Sequence, residues 1–162
     1  MIIANQQLFS ELSQKAIESP RKRSHYNFHP SVEDDIHRLC MAAEPDSYVR
    51  PHRHSQEDRW ELFIVLKGAV SVLIFTEDGV LKERYELEAG GDVCAVEIEQ
   101  NVLHSFISKK SGSIVMEVKR GPYIPIPEAD SGAWAPREGE DATPGFLQWM
   151  RNASPSEKCP AI

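Results

Sequence analysis

The sequence predicts an all-β jelly-roll barrel that carries a short N-terminal α-helix and an irregular, proline-rich C-terminal tail. Short apolar and β-branched runs recur between turn signals from residue 24 to residue 118, which is typical of barrels and sandwiches. One helical stripe precedes these runs, and seven of the eleven prolines follow Gly121. Because 162 residues suit a single domain, we expect one unit with a helix (1–20), a barrel (24–120) and a wrapping tail (121–162).

The N-terminal helix is predicted from its cap and its apolar spacing. Asn5 is a favourable N-cap, and Leu8, Leu12 and Ala16 follow at i, i+4 and i+8 and form one apolar stripe. The helix should end near Glu18, because a residue that precedes a proline disfavours the helical conformation. We expect this helix to pack on the outside of the barrel; the alternative is that it mediates a dimer.

The predicted strands are short and are bounded by turn residues. They cover 24–29, 37–43, 60–67, 69–75, 80–87, 93–98, 103–106 and 113–118. A further strand is expected at Tyr48–His54, at an edge or a bulge, because Pro51 cannot donate a hydrogen bond to a ladder. In the tail we expect a helical turn or two at Thr143–Met150 and a frayed end from Asn152 onwards.

Three histidines and one glutamate form a candidate metal site. His52 and His54 are two residues apart, so on a strand both side chains project from the same face. If the next strand returns antiparallel, Glu61 lies beside this pair, and His104 on a later strand completes the set. Imidazole and carboxylate ligands suit iron, zinc, manganese, nickel or copper. The alternative is that these residues are ordinary surface or core side chains.

The spacing of these residues resembles a known pattern. The H-x-H pair, the glutamate and Gly68 resemble the first motif of the cupin superfamily, and the stretch from Gly91 to His104 resembles the second. The turn before Glu61 is longer than in the common cupin pattern, and Glu99 and Asn101 stand where a proline and a glycine are usual.

More narrowly, the chain resembles the WbuC family of cupin-fold metalloproteins. The resemblance is carried by SPRKRSHYNFH (19–29), YVRPHRH (48–54), RWELFIVLKG (59–68) and WAP (134–136). It implies a cupin-type double-stranded β-helix and one divalent transition metal ion. It also implies an association with bacterial surface-polysaccharide gene clusters, and it leaves the reaction unassigned.

A second group of polar residues predicts a substrate pocket. Arg50 shares the predicted strand face of the histidine pair, and His25, Asn27 and His29 share a face of another strand. Arginine binds phosphate and carboxylate, whereas asparagine and histidine suit hydroxyl groups. The candidate substrate-binding residues are Arg23, His25, Asn27, His29 and Arg50, and the candidate catalytic residues are Tyr48 and Arg50. The alternative is that these side chains face water and that Phe63, Val65 and Phe106 line an apolar cavity.

Composition limits the classes of partner. A formal net charge of −7 argues against nucleic-acid binding through phosphate contacts, and the sequence has no long apolar run that suggests a membrane span. The N-terminus lacks the basic region of a signal peptide, and three widely spaced cysteines suggest reduced thiols in the cytoplasm.

The sequence leaves several functions open. The first is a metal-dependent enzyme that acts on a small polar or anionic molecule, such as a sugar or sugar nucleotide, in the manner of an isomerase or epimerase. The alternatives are an iron-dependent, dioxygenase-like oxidoreductase and a non-catalytic, metal-dependent binding or sensor protein. We also expect a homodimer, because the terminal helix and an edge strand leave surface that needs cover.

Overall fold

The computed structural model of the protein describes residues 1–161, so Ile162, the last residue of the predicted tail, lies outside the described residues. The helices are α1 (Gln6–Glu18) and α2 (Thr143–Asn152), with a 3-10 turn at Glu128–Asp130. The strands are β1 (Arg23–Asn27), β2 (Ile36–Ala43), β3 (Glu61–Lys67), β4 (Ala69–Phe75), β5 (Leu81–Glu88), β6 (Ala95–Ile98), β7 (His104–Ser108) and β8 (Ser113–Arg120). None of the helices within residues 1–161 combines the length and the hydropathy that a membrane span requires.

The strands form two antiparallel sheets that pack face to face as a jelly roll. Within the described residues, one sheet has the order β1-β2-β8-β3-β6 and the other has the order β5-β4-β7. Phe63 and Val65 on β3 are buried and pack with Phe106 of the opposite sheet, whereas the alternate residues of β3 are only half-buried. This alternation is the pattern of strands with one face in a core. The predicted fold class is therefore confirmed.

Helix α1 covers the outer face of the larger sheet. The side chain of Asn5 accepts a hydrogen bond of 3.0 Å from the backbone N–H of Leu8, which is the predicted N-cap contact. Leu12 and Ala16 are buried against Cys40 and other residues that point outward from β2 and β8. The helix therefore seals the outside of the barrel, as its stripe predicts.

The segment Tyr48–His54 is not a regular strand, and that prediction is wrong. Only His52 forms β-bridges, one with His104 at the start of β7 and one with Ser131 in the tail. Pro51 lacks an N–H group, and the neighbouring Arg53 donates its backbone N–H to Asp130 of the tail. Because isolated bridges at a single residue do not impose a strand geometry, side chains of this segment do not have to alternate between two faces.

The C-terminal tail is tied to the barrel along its described length. Phe146, Leu147 and Met150 of α2 are buried against the outer face of the smaller sheet. The predicted fraying from Asn152 onwards is wrong, because the backbone N–H of Leu81 donates to Glu157 at 2.9 Å and Val80 forms a β-bridge with Lys158. Strand β5 lies at a sheet edge, so its unpaired backbone groups are available to hold the tail.

Candidate metal centre

The four predicted metal ligands converge on one point between the two sheets. The side chains of His52, His54, Glu61 and His104 each offer one donor atom, and these atoms lie within 4.8 Å of one another. Glu61 begins β3 of the larger sheet, whereas His104 begins β7 of the smaller sheet and His52 is bridged to it. The histidine pair therefore does not meet Glu61 through a hairpin, as the sequence suggested. The two sheets bring them together across the barrel.

Backbone contacts orient two of the imidazole rings. The Nδ1 atoms of His52 and His104 lie 2.9 Å from the carbonyl oxygens of Arg50 and Val102, each two residues earlier in the chain. A carbonyl oxygen can only accept a hydrogen bond, so each Nδ1 carries a proton and, in a neutral ring, leaves the Nε2 lone pair free. Burial, reinforced by the neighbouring His104, lowers the pKa of His52 to about 3. This fixed neutral tautomer is the one that a metal ligand needs.

The third imidazole contains a buried nitrogen without a hydrogen bond. The Nε2 atom of His54 lies 2.9 Å from Oε1 of Glu61, but the geometry does not make a hydrogen bond, and no other described residue supplies one. The Nε2 atom of His104 lies 3.1 Å from Oε2 of the same carboxylate. Because Nδ1 of His104 carries a proton, Nε2 of a neutral ring would point a lone pair at the Glu61 carboxylate oxygen. Either a second ring proton or a cation must therefore lie between these two atoms.

The donor set fits a transition metal ion. A metal ion bound at about 2.0–2.2 Å from imidazole nitrogen and carboxylate oxygen would hold its ligands roughly 3–4 Å apart. The observed spread of up to 4.8 Å therefore needs only small inward shifts of the side chains. A cation at the centre would also satisfy the Nε2 atom of His54, which is otherwise unsatisfied.

A half-buried lysine supports the carboxylate of the cluster. The Nζ atom of Lys119 lies 3.0 Å from Oε1 of Glu61 and 2.6 Å from Oε1 of Glu117. Burial by itself would raise the pKa of Glu61, but Lys119 and the two neighbouring imidazoles hold it well below its usual range. Burial likewise raises the pKa of Glu117, whereas the two carboxylates keep the pKa of Lys119 above its ordinary value against its own burial. Glu61 is therefore ionised, as a metal ligand must be.

Three of the predicted substrate-binding residues line one cavity next to this lysine. His25, Asn27 and His29 lie around a cavity of about 370 Å³ that Glu117 and Lys119 also line. The strand register explains this arrangement, because Asn27 pairs with Leu39 and Leu39 pairs with Glu117 across the sheet. His29 is buried and stacks on His37 with a ring separation of 4.1 Å.

The structure places the other three candidates away from this cavity. Arg23 donates hydrogen bonds to Glu138 and to the carbonyl oxygen of Tyr48. The hydroxyl of Tyr48 donates to the carbonyl oxygen of Pro136 at 2.8 Å, and burial raises its pKa. Arg50 donates to the carbonyl oxygen of Ala135 and forms an ion pair with Glu128, so the expectation that it would project into the metal cavity is corrected. Phe63, Val65 and Phe106 lie in the core and line neither this cavity nor the metal site.

The family of the chain follows from a sequence model. A family model described as Domain of unknown function (DUF6016) matches residues 4–87, which is just over half of the chain. The chain belongs to this family. A sequence comparison with curated proteins finds no match.

Solved structures with the same fold come from several functional classes. A salicylate 1,2-dioxygenase mutant from Pseudoaminobacter salicylatoxidans in complex with gentisate is similar with a TM-score of 0.55 and 10% identity, over 74% of this chain and 33% of that chain. The DMSP lyase DddQ from Ruegeria pomeroyi DSS-3 is similar with a TM-score of 0.51 and 15% identity, over 73% and 54%. KdgF from Halomonas sp. is similar with a TM-score of 0.50 and 18% identity, over 65% and 84%. At these identities the similarities show the fold alone, which is that of the cupins.

Sequence reasoning missed Glu117 and Lys119. The predicted last strand ended at Val118, whereas β8 continues to Arg120 and pairs Lys119 directly with Glu61. The available signal was the alternation in SIVMEVKR, which places Val115, Glu117 and Lys119 on one face. In this DUF6016 protein the glutamate of the candidate metal cluster is therefore linked to the neighbouring cavity through one lysine.

Proposed function

We propose that this cupin-fold protein binds one divalent transition metal ion through His52, His54, Glu61 and His104, and that it is an enzyme acting on a small polar molecule. The observation that carries this proposal is the buried Nε2 atom of His54, which has no hydrogen-bond partner and faces a carboxylate held ionised by Lys119. The backbone contacts that fix the tautomers of His52 and His104 support it.

The residues around the cluster indicate what the protein contributes to a reaction. A bound metal ion of this kind polarises a substrate oxygen as a Lewis acid or, if it is iron, supports chemistry with dioxygen. A small cavity of about 70 Å³ opens onto His54 and Glu61 and is also lined by Arg59, Trp60 and Lys119. These side chains restrict access by water and limit the reacting group to a small one. Lys119 holds the Glu61 carboxylate in a fixed orientation.

For the substrate, we propose a sugar or a sugar derivative, with isomerase- or epimerase-like chemistry. The support is the set of hydrogen-bonding side chains from β1 that line the cavity beside Lys119. The predicted anion contact through Arg50 is not part of this proposal, because that side chain is bound to the C-terminal tail.

A non-catalytic metal-dependent binding protein is the second candidate. The observation that favours it is the engagement of Tyr48 and Arg50, the two predicted catalytic residues, by carbonyl oxygens of the tail. If these groups are structural, Glu117 and Lys119 are the nearest titratable groups beside the metal ligands. Turnover of a sugar-nucleotide panel by metal-loaded protein would support the enzyme, whereas thermal stabilisation without turnover would support the binding protein.

Elemental analysis of the purified protein tests the metal site directly. We expect about one transition metal ion per chain in the wild type and near-background metal in His54→Ala, because three ligands bind a metal ion far more weakly than four. His25→Ala is the matched control, since this exposed histidine lies outside the cluster and its loss should leave the metal content unchanged. Equal metal content in the wild type and in His54→Ala would contradict the proposal.

A further inference from the structure

Two cavities meet at Lys119, and they differ in size. The cavity at the metal ligands has a volume of about 70 Å³, whereas the neighbouring cavity has a volume of about 370 Å³. His37, Lys119 and Tyr123 line both of them. Small-molecule sites typically occupy roughly 300–1,000 Å³, so only the larger cavity is of a size to hold a ring. We call this larger space the β1 cavity; it is lined by His25, Asn27, His29, Val32, His37, Leu39, Met41, Glu117, Lys119 and Tyr123.

The β1 cavity has an apolar floor with hydrogen-bonding groups on either side of it. Glu117 supplies a buried carboxylate, and Asn27 on the open edge strand supplies an amide that can donate and accept. Leu39 and Met41 form an apolar floor on β2, and the exposed ring of Tyr123 lies at the rim. This lining suits a ligand that combines hydrogen-bonding groups with an apolar face.

The charges of the cavity argue against an anionic ligand. Lys119 is the one Lys or Arg side chain among the described lining residues, and it is held between the carboxylates of Glu61 and Glu117. The nearby basic residues of the sequence do not compensate, because Arg21 and Arg23 both bind Glu138 outside the cavity. A phosphate or carboxylate placed here would meet the Glu117 carboxylate without an unpaired cation to offset the repulsion.

We infer that the β1 cavity binds a neutral polyhydroxylated ring, such as an uncharged hexose unit, with its hydroxyl groups on Glu117 and Asn27 and its apolar face on Tyr123. A carboxylate accepts hydrogen bonds from hydroxyl donors, and such charge-assisted bonds are stronger than neutral ones. The aromatic ring at the rim provides a large apolar surface for the C–H face of a sugar. The inference narrows the sugar substrate of the proposed function to an uncharged one, and it rests on the proposed function for one claim, that the bound ring is presented to the metal.

Lys119 lies between the proposed ring site and the metal site. A hydroxyl group bonded to Glu117 is separated from the metal-ligating Glu61 by this one side chain, which contacts the two carboxylates at 2.6 and 3.0 Å. The two cavities share Lys119, together with His37 and Tyr123, in their walls. Under this inference, one group of the ring faces the metal ligands across Lys119 while the ring itself stays in the β1 cavity.

Binding of neutral and charged sugars to the purified full-length protein tests this inference. The neutral probes are D-glucose, D-galactose, D-mannose, L-rhamnose and N-acetyl-D-glucosamine; the charged probes are D-glucuronate and inorganic phosphate. We expect saturable binding of at least one neutral sugar in calorimetric titrations. Asn27→Ala should weaken this binding roughly three- to tenfold, and Glu117→Gln roughly tenfold or more, because hydrogen bonds to charged groups contribute more. Tyr26→Ala, on the same strand but outside the cavity, should change it less than about twofold.

Two results would overturn the inference. One is the absence of saturable binding by every neutral sugar of the panel, and the other is tighter binding of D-glucuronate or phosphate than of the neutral sugars. Because Glu117→Gln alters a buried pair and can impair folding, Asn27→Ala, on the exposed face of β1, decides the outcome if that variant is not folded. Metal content is measured on the same samples. If the wild type contains no metal but still binds a neutral sugar, the proposed metal site is rejected and this inference stands. If the protein contains metal but binds no neutral sugar, this inference is rejected and the metal site stands.

Discussion

Strand β1 and the segment from Tyr48 to Pro51 carry the same kind of sequence pattern but have different structures. Polar and apolar side chains alternate at residues 25–29 and at 48–51, and the polar groups of both were expected to line the substrate pocket. On β1 the alternation holds, because five residue pairs with β2 keep the backbone extended. At Tyr48–Pro51 no ladder forms, and the side chains of Tyr48 and Arg50 turn into the C-terminal tail. An alternating pattern therefore predicts side-chain direction only where a neighbouring strand is present to pair with it.

The largest expected effect on stability concerns Lys119, which lies on β8 in the same sheet as β1. Lys119→Met should destabilise the metal-free protein by roughly 3 kcal/mol, because it leaves Glu61 and Glu117 buried without a cation. Urea denaturation of the metal-free variant measures the free energy of unfolding. The double variant Lys119→Met, Glu117→Gln is the control and should recover part of the loss, since it removes one of the two unpaired charges. A single variant as stable as the wild type would show that the lysine does not support the cluster.

Arg50→Ala tests whether the segment from Tyr48 to Pro51 holds the C-terminal tail. We expect a loss of about 1–2 kcal/mol in unfolding free energy, because the half-buried guanidinium bonds to carbonyl oxygens of Gly132 and Ala135. Metal content and sugar binding should stay unchanged. Arg38→Ala is a suitable comparison, because that side chain is exposed and pairs with Asp34 at a distance of 4.0 Å, so its loss should cost much less. If Arg50→Ala binds sugar more weakly but is as stable as the wild type, Arg50 is a pocket residue after all.

Tyr48→Phe should have a smaller effect on the same segment. Removing the hydroxyl leaves the carbonyl oxygen of Pro136 without its buried partner, so we expect a loss of about 1 kcal/mol. Thermal and urea unfolding measure this loss, and any activity found in the enzyme assay should persist. If activity falls by orders of magnitude while stability is unchanged, Tyr48 is a catalytic group and its contact with the tail is incidental.

The smallest expected change in unfolding free energy comes from a substitution on the exposed strand β1. Among the described residues, this strand pairs only with β2, so its other edge is available to a second copy of the chain, and we predict a homodimer. Light scattering at micromolar concentration should give twice the chain mass of 18.3 kDa. Tyr26→Lys, which adds a charge to this exposed strand, should shift the mass towards the monomer with little change in unfolding free energy. A monomeric wild type would contradict this prediction.

Most strands and the members of the candidate metal cluster could be predicted from sequence because their signals are local. The runs 69–75 and 113–118 match β4 and most of β8, since β-branched residues between turns form strands in almost any sheet. The four residues predicted as metal ligands do form one cluster, although the hairpin argument for Glu61 was wrong, because the residue types and the H-x-H spacing identified them without it. The tail from Asn152 was misjudged because its partner, the edge of β5, is more than 70 residues away in the chain.

The sequence by itself determined which residues can form strands, where α1 begins, and which side chains are suited to a metal ion. These properties depend on spacing, propensity and side-chain chemistry within a few residues. Three contacts were decided only by the tertiary structure. Lys119 pairs with both Glu61 and Glu117, residues of β1 line a cavity beside them, and Tyr48 and Arg50 donate hydrogen bonds to the C-terminal tail. Each of these contacts depends on the register between strands or on the path of a loop, and both are set by packing between residues far apart in the chain.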